Sequence, residues 1–226
     1  MFENIGVSRL DVVLAQFDGL VVLLAAAHGE VFEVIRANEL TWFPHTQNPQ
    51  AAETAETYQT AVCNGAFLLG YSYLEAFLAD IVRHVYVRRP SMLPPDKTVT
   101  YKDVLGAPSS DALVLRLAER EVRSVFAGSI EDVQQHYQRR LGVIWPNEPK
   151  IVVASKIRNC LMHNDARVDE RLAAAAPDEF AIGQRIALRP SEVHDYGIAA
   201  RVFATALWAD VASRHLTGSE ASANVV

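Results

Sequence analysis

Apolar residues recur at three- and four-residue intervals through most of this chain, a period that an α-helix satisfies and a β-strand, with its period of two, does not. The pattern holds from Ser8 to about Glu39, with Ser8 as N-cap and Thr41-Trp42-Phe43-Pro44 ending the run. It returns from about Gln50 to Tyr86, where Leu68, Tyr71, Leu74, Leu78 and Val82 form one stripe of a second long helix. Two helices of this length demand apolar partners, and the rest of the chain has to supply them.

Three prolines between Arg89 and Pro95 cannot continue a helix, so 89–107 reads as a connection with one helical turn near Tyr101 to Leu105. A helix is expected from Ser110 or Asp111 to about Phe126. Another follows the capping signature Ser129-Ile130-Glu131-Asp132 and ends near Gly142, so that 108–142 forms an inserted helical hairpin. Trp145 to Pro149 is a loop, Ile151 to about Met162 a helix, and Pro190-Ser191 opens a last long helix to about Leu216. In between, the alternation Arg185–Arg189 suits a short strand or β-hairpin, and an alanine-rich helical turn at Leu172 to Ala176 competes with it. The expected fold is all-α, an up-and-down helical bundle of five to seven helices in a single domain over 1–216, with 217–226 as a flexible tail.

Half of the residues are apolar, enough for a sizeable core without metal or disulfide staples. Cys63 and Cys160 lie in apolar helical contexts far apart, so both are expected buried and reduced, as in a cytoplasm. The longest strongly apolar run, Leu20 to Ala27, is too short to span a bilayer and follows Asp11 and Asp18 instead of a basic leader; neither signal peptide nor membrane partner is expected. Net charge is −6, but unevenly spread: 1–82 hold two Lys/Arg against ten Asp/Glu, whereas 83–102 hold five against one and 112–171 ten against eight. A local basic zone can hold phosphates on an acidic protein, so composition does not exclude RNA.

One short stretch concentrates chemistry: Lys156-Ile157-Arg158-Asn159-Cys160-Leu161-Met162-His163-Asn164-Asp165. With 17 arginines and 7 histidines, an Arg with a His five to seven residues later should arise about 1.6 times by chance, so spacing alone decides nothing. The second copy, Arg189-Pro190-Ser191-Glu192-Val193-His194, straddles a helix start and serves as an internal control. In the first copy Ala154, Ile157, Cys160 and Leu161 make an apolar stripe, with Ser155, Lys156, Arg158, Asn159, Met162 and His163 on the other side. Asn159 and His163 are an i,i+4 pair, so the amide can orient the imidazole, and the long Arg158 side chain can reach the same spot. A polar face of this kind is more often simply solvated.

The stretch Arg158 to His163, followed by Asn164-Asp165, resembles the arginine, polar residue, three variable residues, histidine signature of the HEPN superfamily of helical ribonucleases. Tyr71-Ser72-Tyr73-Leu74-Glu75-Ala76-Phe77-Leu78 resembles the corresponding second long helix of that superfamily, and the closing pattern of a hairpin near 183–190 before a long helix is similar as well. The resemblance covers about half of the chain and is specific in 71–82 and 156–165. It implies a HEPN-type bundle and metal-independent endoribonuclease activity: the RNA 2′-hydroxyl attacks the adjacent phosphate and leaves a 2′,3′-cyclic phosphate. It also implies a homodimer in which two motifs meet in one composite active site, and a toxin or phage-defence effector restrained by an antitoxin or inhibitor protein.

That chemistry needs a proton carrier near neutral pH and a fixed positive charge beside the phosphate, roles that imidazole and guanidinium can fill. His163 is therefore the expected general base or acid, Arg158 the phosphate anchor and Asn159 the orienter of the histidine or phosphate. Supporting candidates each have a bland alternative. Glu75 either fixes Arg158 or stands exposed, Lys156 adds phosphate affinity or is solvated, Asn164 and Asp165 line the site or finish the helix, and Tyr71 and Tyr73 stack a base or pack the core. His28, His45, His84, His136 and His215 show no metal-binding spacing, and neither nucleophile elbow nor phosphate loop occurs, so no cofactor is expected. The alternative functions are a noncatalytic HEPN-like module binding RNA, a nucleotide or a protein partner, and a purely structural helical dimerisation protein.

Overall fold

The structure, a computed structural model, describes the backbone over 51–216 and the side chains over 59–215. The helix expected from Ser8 to Glu39, His28, His45, the apolar run Leu20 to Ala27 and the tail 217–226 lie outside the described residues, as does the first part of the domain expected over 1–216.

Among the described residues the chain forms seven α-helices: α1 (Ala51–Arg88), α2 (Tyr101–Leu105), α3 (Ser110–Phe126), α4 (Ile130–Arg139), α5 (Pro149–His163), α6 (Glu170–Ala175) and α7 (Pro190–Val211). The described part of the chain is thus all-α in class. Its two shortest helices, α2 and α6, are the segments that the sequence offered only as single helical turns. Each has a cap that explains its persistence: Thr100 and Asp103 close a capping box on α2, and Asp169 accepts from the Leu172 amide at 2.8 Å on α6.

Two units group these elements, one of 51–74 with Glu148–Arg201 and one of Glu75–Asn147 with 202–216; the divisions fall inside α1 and α7. In the second unit α3 and α4 pack as a pair. Helix α3 starts at the expected Ser110 with Ser109 as its cap, and the Ser129–Asp132 box opens α4. Helix α4 stops at Arg139, before the expected Gly142, because the chain then turns back to bury Leu141 and Val143, and Gly142 supplies the left-handed φ of 63° between them. Tyr137, wholly buried, donates its hydroxyl to the Leu78 carbonyl at 2.6 Å and sets its ring edge-on to Trp145, which in turn meets Phe203. Past α7, Ala212–Leu216 forms a π-helical turn that places the buried His215 ring nitrogen 2.8 Å from the Leu141 carbonyl.

In the first unit Phe67 of α1 meets Tyr196 of α7 edge-on at 5.3 Å and stacks on Tyr71. The expected β-hairpin is not formed; the described residues hold only one isolated antiparallel bridge, Arg167 to Arg185. The alternation that suggested it is real: Ile186 and Leu188 are buried while Arg185, Ala187 and Arg189 face outward. The Ile186 amide donates to the Ala166 carbonyl at 2.7 Å, and beyond it the side chain of Asn64 takes over, donating to the Ile186 carbonyl at 3.1 Å and accepting from the Leu188 amide at 3.2 Å.

By length and composition, Gln59–Arg88 of α1 is apolar enough to cross a bilayer, although 44% of its most apolar window is already buried in the protein. Glu75, Asp80 and Arg83 interrupt it, which is why no unbroken apolar run marks it in the sequence. Phe67, Tyr71, Leu74, Leu78, Ile81 and Val82 are buried.

Candidate active site

Helix α5 carries the motif in its last two turns. Pro149 starts it with a preset φ, and the Glu148 side chain accepts from the Lys150 amide at 3.4 Å. Ile151, Ala154, Ile157 and Cys160 then bury one face. Ser155, expected on the solvent side, is buried with them, and Leu161 is only half-buried. Lys156, Arg158 and Asn159 are half-buried, whereas Met162 and His163 are exposed. The polar side of α5 is therefore a partly covered face that opens toward its C-terminal end.

Helical geometry puts Lys156, Asn159 and His163 in one row at i, i+3 and i+7. Arg158 starts about 100° away from Asn159. A hydrogen bond closes that gap: Arg158 Nη1 donates to Asn159 Oδ1 at 3.1 Å. Asn159 was expected to orient the histidine or the phosphate. Its carbonyl oxygen accepts from the arginine, and no hydrogen bond or ion pair joins His163 to another described residue. The amide holds the guanidinium toward the row that ends in an exposed imidazole.

Asn164 and Asp165 complete the helix end. Asn164 is the C-cap, with its side chain donating to the Arg167 carbonyl at 2.8 Å. Asp165 and Ala166 then adopt φ of 50° and 56°, the left-handed region that reverses the chain. The Cys160 carbonyl accepts from both Asn164 and Ala166 amides, which ties the reversal to the last turn of α5. The carboxylate of Asp165 lies 3.9 Å from Arg167 and 3.8 Å from Arg185. Sequence reasoning passed over these two arginines. Arg167 follows His163 by four residues, a readable signal, but its partner is eighteen residues further on and is brought in only by the bridge.

The remaining candidates differ in burial. Glu75 is half-buried on α1 and opens the second unit. Tyr71 is core, stacked on Phe67, and Tyr73 is half-buried. Burial pushes both thiols up, with Glu192 adding to the effect at Cys63, while at Cys160 the nearby Asp169 acts in both directions. Both cysteines are free and buried, as structural residues are. The control copy differs in kind: Arg189 donates to Glu192 at 2.8 Å and its backbone amide to the same carboxylate at 2.7 Å, an end-of-helix lock that leaves His194 exposed beyond it. Burial works to raise the Glu192 carboxyl, but the bonds from Arg189 outweigh it and hold the group below its ordinary range.

The second unit has a cleft of about 650 Å³ between α3 and α4, lined by Glu121, Gln135, His136, Arg139 and Arg140 among others. Its polar groups are mostly paired: Glu121 with Lys97, and His136 with the Tyr86 hydroxyl at 2.9 Å. No group of three or more His, Cys, Asp or Glu side chains suited to a metal occurs among the described residues. Comparison of the chain with family models, with characterised proteins and with solved structures finds no match.

Proposed function

We propose that the protein is a metal-independent endoribonuclease of HEPN type, built as an up-and-down bundle and working as a homodimer. The observation that carries this reading is the Arg158–Asn159 hydrogen bond one helical turn before the exposed His163 on the same face of α5.

In the proposed reaction the His163 imidazole takes the proton from an RNA 2′-hydroxyl. The 2′-oxygen bonds to phosphorus, the bond to the 5′-oxygen breaks, and a second copy's His163 protonates that leaving oxygen. Arg158 holds the non-bridging oxygens, where charge accumulates in the transition state. Asn159 positions Arg158, and Lys156, in line with His163, adds attraction for the backbone. Two copies meeting about a two-fold axis would bring two imidazoles and two guanidiniums into one cleft, which divides acid from base. The exposed Met162 beside His163 offers an apolar contact for such a meeting.

The same reading places the protein in the cytoplasm as a toxin or phage-defence effector held in check by an inhibitor protein. It is tested by incubating the purified protein with RNA in the presence of a chelator and analysing the new ends: 2′,3′-cyclic phosphates are expected, and intact RNA would overturn it.

A further inference from the structure

Arg167 and Arg185 stand directly opposite each other in the antiparallel bridge that follows α5. Like charges in that position repel, and side chains of directly paired residues lie only about 5 Å apart at Cβ. One carboxylate, Asp165, stands against both, at 3.9 and 3.8 Å, beyond good hydrogen-bond range. All three side chains are exposed, by 55%, 67% and 74% for Arg167, Arg185 and Asp165. Among the described residues the group keeps one positive charge without a counter-charge.

Its location is fixed by backbone bonds. Ala166 donates to Cys160 in the last turn of α5 and accepts from Ile186, while Val168 and Gly183 close the pairing with Gln184 and Val168. Four residues separate Arg167 from His163, so their Cα atoms lie within roughly 14 Å even along a straight path, about the reach of two or three nucleotides. Ala166 has to adopt a left-handed φ, which an alanine does at a cost, to bring the bridge back against the helix.

We infer that Arg167 and Arg185 form a phosphate clamp that holds the backbone of single-stranded RNA beside His163, with Asp165 as the internal counter-charge that RNA displaces. The inference rests on the ribonuclease reading for the identity of the ligand. An RNA phosphate placed between the two guanidiniums relieves their repulsion and can accept from both forks. The clamp binds phosphates and does not read bases, so it sets where the strand lies and leaves sequence preference to other groups.

The test measures binding of a single-stranded RNA oligonucleotide as a function of salt in a His163→Ala background, where turnover is expected to be slower by about 10² to 10⁴. Each phosphate contact in a single strand contributes about 0.7 to the slope of log affinity against log salt, so Arg167→Gln/Arg185→Gln should lower the slope by about 1.4. Asp165→Asn should tighten binding, an effect no structural role for the carboxylate would give. The charge-matched control Arg123→Gln/Arg139→Gln should leave the slope unchanged, and melting temperatures identify any variant that has unfolded. An unchanged slope in the first double variant, an equal fall in the control, or no RNA binding by the parent overturns the clamp. If the slope falls as expected but the protein with His163 intact cuts no RNA, the clamp stands and the ribonuclease reading alone fails. If cutting depends on His163 while the slope does not depend on the two arginines, the clamp alone fails.

Discussion

Arg158 donates to the side-chain oxygen of its sequence neighbour Asn159 at 3.1 Å, although adjacent residues of a helix point about 100° apart. The bond turns a long, rotamer-rich side chain toward the row that ends in His163. If that is its role, Asn159→Leu should lower RNA cleavage about 100-fold, the scale expected when a charged group loses its alignment. Asn159→Asp, which keeps the acceptor, should retain most of the activity. Single-turnover rates on a defined RNA would check both, and equal rates for the two variants would exclude a positioning role.

The strained reversal at Asp165-Ala166 gives a stability prediction. Glycine at 166 removes the steric cost of φ 56°, roughly 1–2 kcal/mol, and gives back part of it as chain entropy in the unfolded state. Ala166→Gly should therefore stabilise by about 0.5 kcal/mol, and Ala166→Val, β-branched at positive φ, should destabilise by more than that. Chemical denaturation midpoints would show the order.

Tyr137 tests the second unit. Its hydroxyl bond to Leu78 is buried, so Tyr137→Phe should cost about 1 kcal/mol, whereas Tyr137→Ala also loses the ring contact with Trp145 and leaves a cavity, at about 3–5 kcal/mol. A Phe variant as unstable as the Ala variant would contradict the division between bond and packing.

His136 predicts a pH dependence. Burial holds its pKa below the ordinary value, against the attraction of Glu121 and with help from Arg140 and Lys97, and burial with Glu121 pushes its partner Tyr86 up to about 12. The folded state thus binds the histidine proton less readily than the unfolded chain. Its contribution is fully present above the unfolded value, about 6.5, and is lost as pH falls below it. Melting temperature should drop between pH 7.5 and 5.5 in the wild type and drop less in His136→Gln.

Helical class was legible because it depends on local spacing: α1 was expected from Gln50 to Tyr86 and runs Ala51–Arg88, and the Ser129–Asp132 box lies where its residues spell it. The apparent strand at Arg185–Arg189 was not resolved by pattern. Alternation reports which side chains are buried, and the partner that satisfies the backbone, Asn64, is more than a hundred residues away. The site shows the same split. The row Lys156, Asn159, His163 follows from helical period, but that Asn159 serves the arginine depends on side-chain rotamers, and the Arg167–Arg185 pairing depends on a chain reversal that no single residue type announces.

The most direct measurement compares the wild type, His163→Ala and His194→Ala on total RNA in the presence of a chelator. Cutting to 2′,3′-cyclic phosphate ends is expected from the wild type and from His194→Ala, with the rate of His163→Ala lower by about 10² to 10⁴. Undiminished cutting by a folded His163→Ala protein would contradict the proposed role of His163.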